Sequence, residues 1–192
     1  MTVNSDVPKR SNRTLWLVLA VCVAPFVAAT LVHRYFQPGS RMNYGDLIDP
    51  VALPDVSLQS LDGEIIPLST LRGKWLMVHV DTGACLPECV EKLWKIRQLR
   101  LTQGKNMDRI ARLWLITDKE PVDANLQKEY EGTLMLRASP EIISRLPTLA
   151  EPGTHIWLAD PLGNVMMRYA PGADPSRMKK DLIRLLKVSQ IG

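Results

Sequence analysis

Cys85 and Cys89, in the run Cys85-Leu86-Pro87-Glu88-Cys89, are the residues whose types and spacing most directly suggest chemistry. The 192-residue chain has three cysteines. Cys22 lies within a long apolar run, where it reads as an apolar filler. Positions four apart share one face of a helix. If a helix starts just after Cys85, the first thiol sits in the loop or cap and the second in the first turn. Helix amides and the positive end of the helix dipole then favour the thiolate, which is both a redox nucleophile and a soft metal ligand. Apolar Leu86 and Val90 oppose that effect by burial. A simple stapling disulfide is the competing account, but it closes a very small loop and stabilises less than a long-range link would.

The surrounding sequence supplies the elements that such a pair needs. Residues 75–80, WLMVHV, read as a central strand, followed by the loop Asp81-Thr82-Gly83-Ala84. Leu86, Val90, Leu93, Trp94, Arg97 and Leu101 recur at spacings of three and four, which predicts a helix over about 86–102 with that stripe buried. Two short strands joined by Asp62-Gly63 are expected over 54–68, with a helical turn at 69–74. Downstream the pattern predicts strands at 112–117, 133–136, 154–159 and 165–169. Helices are expected at 123–130, 140–146 and 174–188, the last capped by Asp174 with Pro175 in its first turn. This order is that of an α/β domain whose sheet has an antiparallel edge.

Upstream, Leu15–Val32 holds no charged residue, and Thr14 can extend it. Trp16 and Tyr35 suit the two membrane interfaces, and Pro25 is tolerated in a membrane-spanning helix. The expected organisation is a cytoplasmic N-terminus at 1–13, a transmembrane anchor at 14–33, a tether at 34–53 and a folded domain at 54–192. A cleaved signal peptide is the competing reading, with Ala28 and Ala29 as small residues near a cleavage point. Lys9, Arg10 and Arg13 before the span, against Arg34 after it, favour a cytoplasmic N-terminus. Both readings deliver the remainder across the membrane, to a compartment where thiols and disulfides interconvert. The expected location is the bacterial inner membrane, single-pass, with the domain in the periplasm. From Arg34 onward 21 basic residues face 19 acidic ones, scattered rather than striped, which does not point to nucleic acid.

Residues Pro54-Asp55-Val56-Ser57-Leu58, Asp62-Gly63, Leu71-Arg72-Gly73-Lys74-Trp75 and Cys85–Cys89 resemble the opening of membrane-anchored thioredoxin-like proteins. Within these the chain is most similar to the SCO/SenC family, the copper-handling proteins of cytochrome c oxidase assembly, over roughly residues 54–188. The resemblance implies a thioredoxin-like fold and copper as the metal. It implies a cytochrome c oxidase subunit or another copper chaperone as partner. It implies Cys85 and Cys89 as working residues, whether for metal or for thiol redox. The family adds a distal histidine before an aspartate- or glycine-proline turn. Here the turn is Asp160-Pro161-Leu162-Gly163, and the nearby histidine is His155, the expected third ligand. Counted back from Pro161, the family position itself falls on Pro152, and Leu86 and Val90 stand where family prolines follow the cysteines. Thr154 takes the place of the cis-proline of many thioredoxin-like enzymes. Two alternatives stay open beside copper handling: a dedicated thiol-disulfide oxidoreductase without metal, and a non-catalytic assembly scaffold.

His79, mid-strand, is expected to be a core histidine with a hydrogen-bond partner, and His33 an interfacial one. Asp81 and Glu88 flank the cysteine loop, where they either tune thiol acidity or stand as solvated carboxylates. Trp75, Trp94, Trp114 and Trp157 are spaced as core or half-buried residues, not as a stacking platform for bases.

Overall fold

The computed structural model describes residues 12–35, 43–138, 143 and 154–189. The chain divides into two units, Met1–Met42 and Asn43–Gly192. The first holds helix α1, Arg13–Tyr35, with Pro25 inside it. Its segment Arg13–Val32 spans 20 residues and is long and apolar enough to cross a membrane. At 1.5 Å per residue it reaches roughly 30 Å, the thickness of a hydrocarbon core.

The second unit is an eight-stranded mixed sheet flanked by helices. The strands are β1 (Asp46–Ala52), β2 (Ser57–Ser60), β3 (Ile65–Pro67), β4 (Trp75–Asp81), β5 (Ile110–Ile116), β6 (Thr133–Arg137), β7 (Ile156–Ala159) and β8 (Asn164–Tyr169). Their order is β1-β8-β7-β4-β5-β6-β2-β3. Parallel pairing is confined to β4–β5 and β5–β6, and antiparallel strands complete both sides. The helices are α2 (Pro87–Leu101), α3 (Ala124–Glu129) and α4 (Pro175–Val188). This is the α/β thioredoxin-like architecture preceded by one apolar helix.

Local chemistry sets the element ends. Pro87 occupies the first turn of α2, where its missing N–H costs nothing. The Asp123 side chain accepts from Asn125 N at 2.6 Å to start α3, and Asp174 accepts from Ser176 N at 2.8 Å to start α4. Between β7 and β8, Asp160 accepts from the amides of Leu162 and Asn164, while Gly163 takes a φ of 92°.

β4 is buried on both faces, and its period of two separates two cores. Met77 joins Trp114, Leu158, Met167 and the inner faces of α2 and α4. Leu76, Val78 and Val80 join Leu113, Leu115 and Trp157 on the other face.

Two expectations are corrected. The tether does not run to residue 53, because residues 46–52 form β1, an edge strand paired with β8. Its burial alternates only weakly, so it left little hydrophobic signature. The stripe assigned to the buried face of α2 is also largely wrong. Of its six residues only Leu93 is buried, while Leu86, Trp94 and Leu101 are exposed. The inward stripe is Cys89, Leu93, Ile96 and Leu99, with Lys92 and Lys95 laid alongside. Lysine stems cover apolar surface while their ammonium groups reach carboxylates, and counting only apolar residues hid that face. The helix expected at 140–146 lies outside the described residues except for Ile143, which is helical.

Candidate redox and metal centre

Cys85 and Cys89 are joined by a disulfide, with 5.1 Å between their Cα atoms. The bond lies at the carboxyl end of the central strands, where β4 gives way to α2. Ligands of open α/β sheets gather at that edge. Cys85 has a φ of 41°, the one non-glycine residue with positive φ among those described. It closes a turn in which its N–H donates to Thr82 O. Left-handed backbone at a residue with a Cβ costs on the order of 1 kcal/mol and marks a conformation imposed by its surroundings. Cys89, in the first turn of α2, faces the sheet and is 1% exposed, against 7% for Cys85. The junction of loop and helix is thus where the sequence placed the pair.

The cysteine loop is held from below. Gly83 donates its N–H to Asp118 Oδ1 at 2.9 Å, and a Cβ on Gly83 would come within 2.5 Å of Glu120 O. Arg137, at the end of β6, donates to Asp118 O at 2.7 Å and Glu120 O at 3.1 Å. A guanidinium and a glycine therefore fix the two loops against each other.

Directly beneath the disulfide lies His79. Its Nε2 is 3.3 Å from Cys89 Sγ, its ring stacks on Trp114 at 5.8 Å between centroids, and it has no solvent exposure. The expected core histidine with a hydrogen-bond partner is there, and its partner is the cysteine site. Nδ1 is buried without a hydrogen-bond partner. Burial, and secondarily the charge of Lys92, hold the imidazole well below its ordinary pKa of 6.5, so the ring is neutral. Neutral imidazole is the form that ligates a metal.

Asp81 ends β4 on the same side. Its Oδ2 pairs with Lys92 Nζ at 2.9 Å, and its Oδ1 accepts from Thr82 N at 2.9 Å. Ligand atoms of His79, Asp81 and Cys89 all lie within 4.8 Å of one another. Glu88 is exposed in the first turn of α2 and remains a solvated carboxylate.

His155 stands elsewhere. Its Nδ1 is 2.6 Å from Thr154 Oγ1, and its ring packs against Trp157 at 5.4 Å. Trp157 belongs to the core on the face of the sheet opposite Cys89. The geometry gathers His79, Asp81 and Cys89, with Cys85 joined to Cys89 by the disulfide, and His155 is not in that group. Pro152, the family's histidine position, lies outside the described residues.

A neutral buried histidine makes stability depend on pH with a definite sign. The unfolded chain protonates His79 near 6.5 and the folded chain only at a lower pH. Its contribution is complete above 6.5 and is lost as pH falls toward the lowered value. Urea unfolding should show stability decreasing by up to about 1.4 kcal/mol per pH unit over that window, a dependence that His79→Leu removes.

Once reduced, this arrangement offers the Cys89 sulfur, a neutral imidazole and a carboxylate around one point, with the Cys85 sulfur next to Cys89. Soft sulfur and imidazole donors select soft ions, and the thiolates are competent for disulfide exchange. Comparison with known proteins agrees on the scaffold. Copper-bound yeast Sco1 superposes with a TM-score of 0.62 at 16% identity, over 74% of this chain and 96% of that one. Copper-bound ScoI of Arabidopsis thaliana gives 0.58 at 18%, over 72% and 100%. A thiol:disulfide interchange protein of the thioredoxin family from Chlorobium tepidum gives 0.57 at 18%, over 72% and 98%. No curated protein sequence matches the chain. Residues 75–189 match the family described as "transmembrane-like, thioredoxin-like, C-terminal domain". From β4 through the cysteine loop to α4, the chain belongs to that family.

Proposed function

We propose that the protein is a membrane-anchored assembly factor for cytochrome c oxidase that binds and hands over copper through Cys85 and Cys89. His79, in place of His155, completes the donor set. The observation that carries this reading is the 3.3 Å approach of His79 Nε2 to Cys89 Sγ beneath the cysteine pair. The scaffold shared with copper-bound Sco1 and ScoI supports it. The residues fit the ion: two thiolates and an imidazole suit Cu(I), and the unpartnered Nδ1 leaves Nε2 as the atom directed at sulfur. Asp81 adds a carboxylate at the rim, held by Lys92. The anchor α1 keeps the domain at the membrane, and the basic residues before it support a cytoplasmic N-terminus with the domain in the periplasm. The client is a copper-accepting oxidase subunit or a second copper chaperone.

The disulfide supports a second, compatible reading in thiol redox control, a chemistry named for the Chlorobium tepidum neighbour. A partner thiolate attacks Cys85 Sγ, on the less buried residue of the pair, and Cys89 Sγ leaves as a thiolate beside His79 Nε2. The second partner thiol then displaces Cys85. The partner's two thiols become one disulfide and release their protons to solvent, and the two electrons reside on Cys85 and Cys89, which leave as thiolates and take up protons from solvent.

The copper reading requires the pair to be reduced before metal binds, because a disulfide sulfur is not a thiolate. Anaerobic titration with Cu(I) against a chromophoric chelator should give one tight equivalent for the reduced protein and none for the oxidised form. Equal binding by both forms, or none by either, would overturn the copper assignment.

A further inference from the structure

We infer that the outward face of α4 docks onto an anionic phospholipid surface. Its solvent-facing residues recur at helical spacing: Arg177, Lys180, Ile183, Arg184, Lys187 and Val188, all exposed. Four are cations and two are apolar, with Ile183 47% and Val188 84% exposed. The one acid within the helix, Asp181, points inward and is 1% exposed. A helix with a basic face interleaved with exposed aliphatic residues matches the headgroup region of an acidic bilayer.

The way the chain enters the domain supports lipid as the occupant. Tyr44 and Gly45 are fixed to this same helix. Their N–H groups donate to the Asp181 carboxylate at 2.9 Å, the Asp174 N–H donates to Tyr44 Oη at 3.0 Å, and the Arg177 guanidinium lies 4.1 Å from the Tyr44 ring centroid. In sequence only residues 36–42 separate this attachment from α1, the helix long enough to span a membrane. A connection of that many residues can extend at most roughly 30 Å, and this limit favours lipid as the occupant. Surface charge supplies the complement, since anionic lipids attract each nearby Lys or Arg by about 1 kcal/mol and salt screens the attraction.

The test uses the full chain in nanodiscs, with Cys22→Ala and a nitroxide attached at Val188→Cys. A second labelled variant, Glu64→Cys, reports from the β3 edge. Collision with a water-soluble paramagnetic nickel complex measures exposure to solvent. Protection at 188 but not at 64 is expected in phosphatidylglycerol-containing nanodiscs, and it should disappear in high salt or in pure phosphatidylcholine. Neutralising Lys180 and Lys187 to Gln should lower the docked-to-undocked ratio about fivefold for each charge removed. Equal exposure in both lipids, or protection that survives high salt, would overturn the proposal. Protection that appears only with a co-reconstituted acidic protein would assign the face to that protein and likewise overturn it.

Discussion

Reduced protein carrying His79→Leu is expected to bind Cu(I) at least roughly 100-fold more weakly than the native chain, beyond the 10–100-fold typical of losing an outer supporting group. The reason is geometric. Nε2 is the nitrogen held 3.3 Å from Cys89 Sγ, and the Trp114 ring stacked on it limits other orientations of the imidazole. Leucine fills most of the same space but provides no donor. It also removes the buried Nδ1 that has no partner, so folding stability at neutral pH should change little. The loss of affinity is thereby separable from unfolding, which a thermal melt of the same sample checks. His155→Ala, which removes a ring packed against Trp157, should leave Cu(I) affinity unchanged. A His79→Leu protein that binds copper like the native one would remove the imidazole from the site.

The largest effect on stability is expected at Asp181. This carboxylate is buried and accepts three hydrogen-bond contacts from the amides of Tyr44 and Gly45, tying the start of β1 to α4. Burial, and then the charge of Asp181, hold the neighbouring Tyr169 phenol far above its ordinary range, so it stays protonated beside the carboxylate. Asp181→Ala leaves two amides without their acceptor and should cost about 2–4 kcal/mol. In a domain of this size that corresponds to a fall of roughly 5–15 °C in Tm. Asp181→Asn keeps one acceptor oxygen and should cost less. Limited proteolysis should find new cleavage within residues 43–52 in the Ala variant, because the clasp that seats β1 is gone. Unchanged stability and cleavage would show that pairing with β8 alone seats that strand.

Much of this architecture was legible because its signals are local. The apolar run of β4, the proline in the first turn of α2 and the aspartate caps of α3 and α4 each specify an element through backbone sterics or hydrogen bonding. The cysteine pair was legible for the same reason, since its spacing and a strand-to-helix junction lie within a dozen residues. β1 was not. It is an edge strand joined to β8 across more than a hundred residues, and its half-exposed residues alternate too weakly to announce pairing.

The candidacy of His79 was hidden for a related reason. His155 adjoins the turn that resembled the family's, but proximity in sequence does not fix the face of a strand. His79 carried a readable signal: a single polar side chain in the apolar run 75–80, six residues before Cys85. Its parity matches Met77, whose side chain meets the inner face of α2, so the face that receives Cys89 is also the face of His79. Knowing which face α2 covers was the missing step. Reading α2 by its apolar residues alone concealed it, because Lys92 and Lys95 lie on the inward side.

X-ray absorption at the copper edge tests the central assignment most directly. Anaerobically reduced protein loaded with one equivalent of Cu(I) should show two sulfur ligands and one imidazole nitrogen. The nitrogen should vanish in His79→Leu and persist in His155→Ala. A nitrogen shell that survives in His79→Leu and is lost in His155→Ala would contradict the site built around His79.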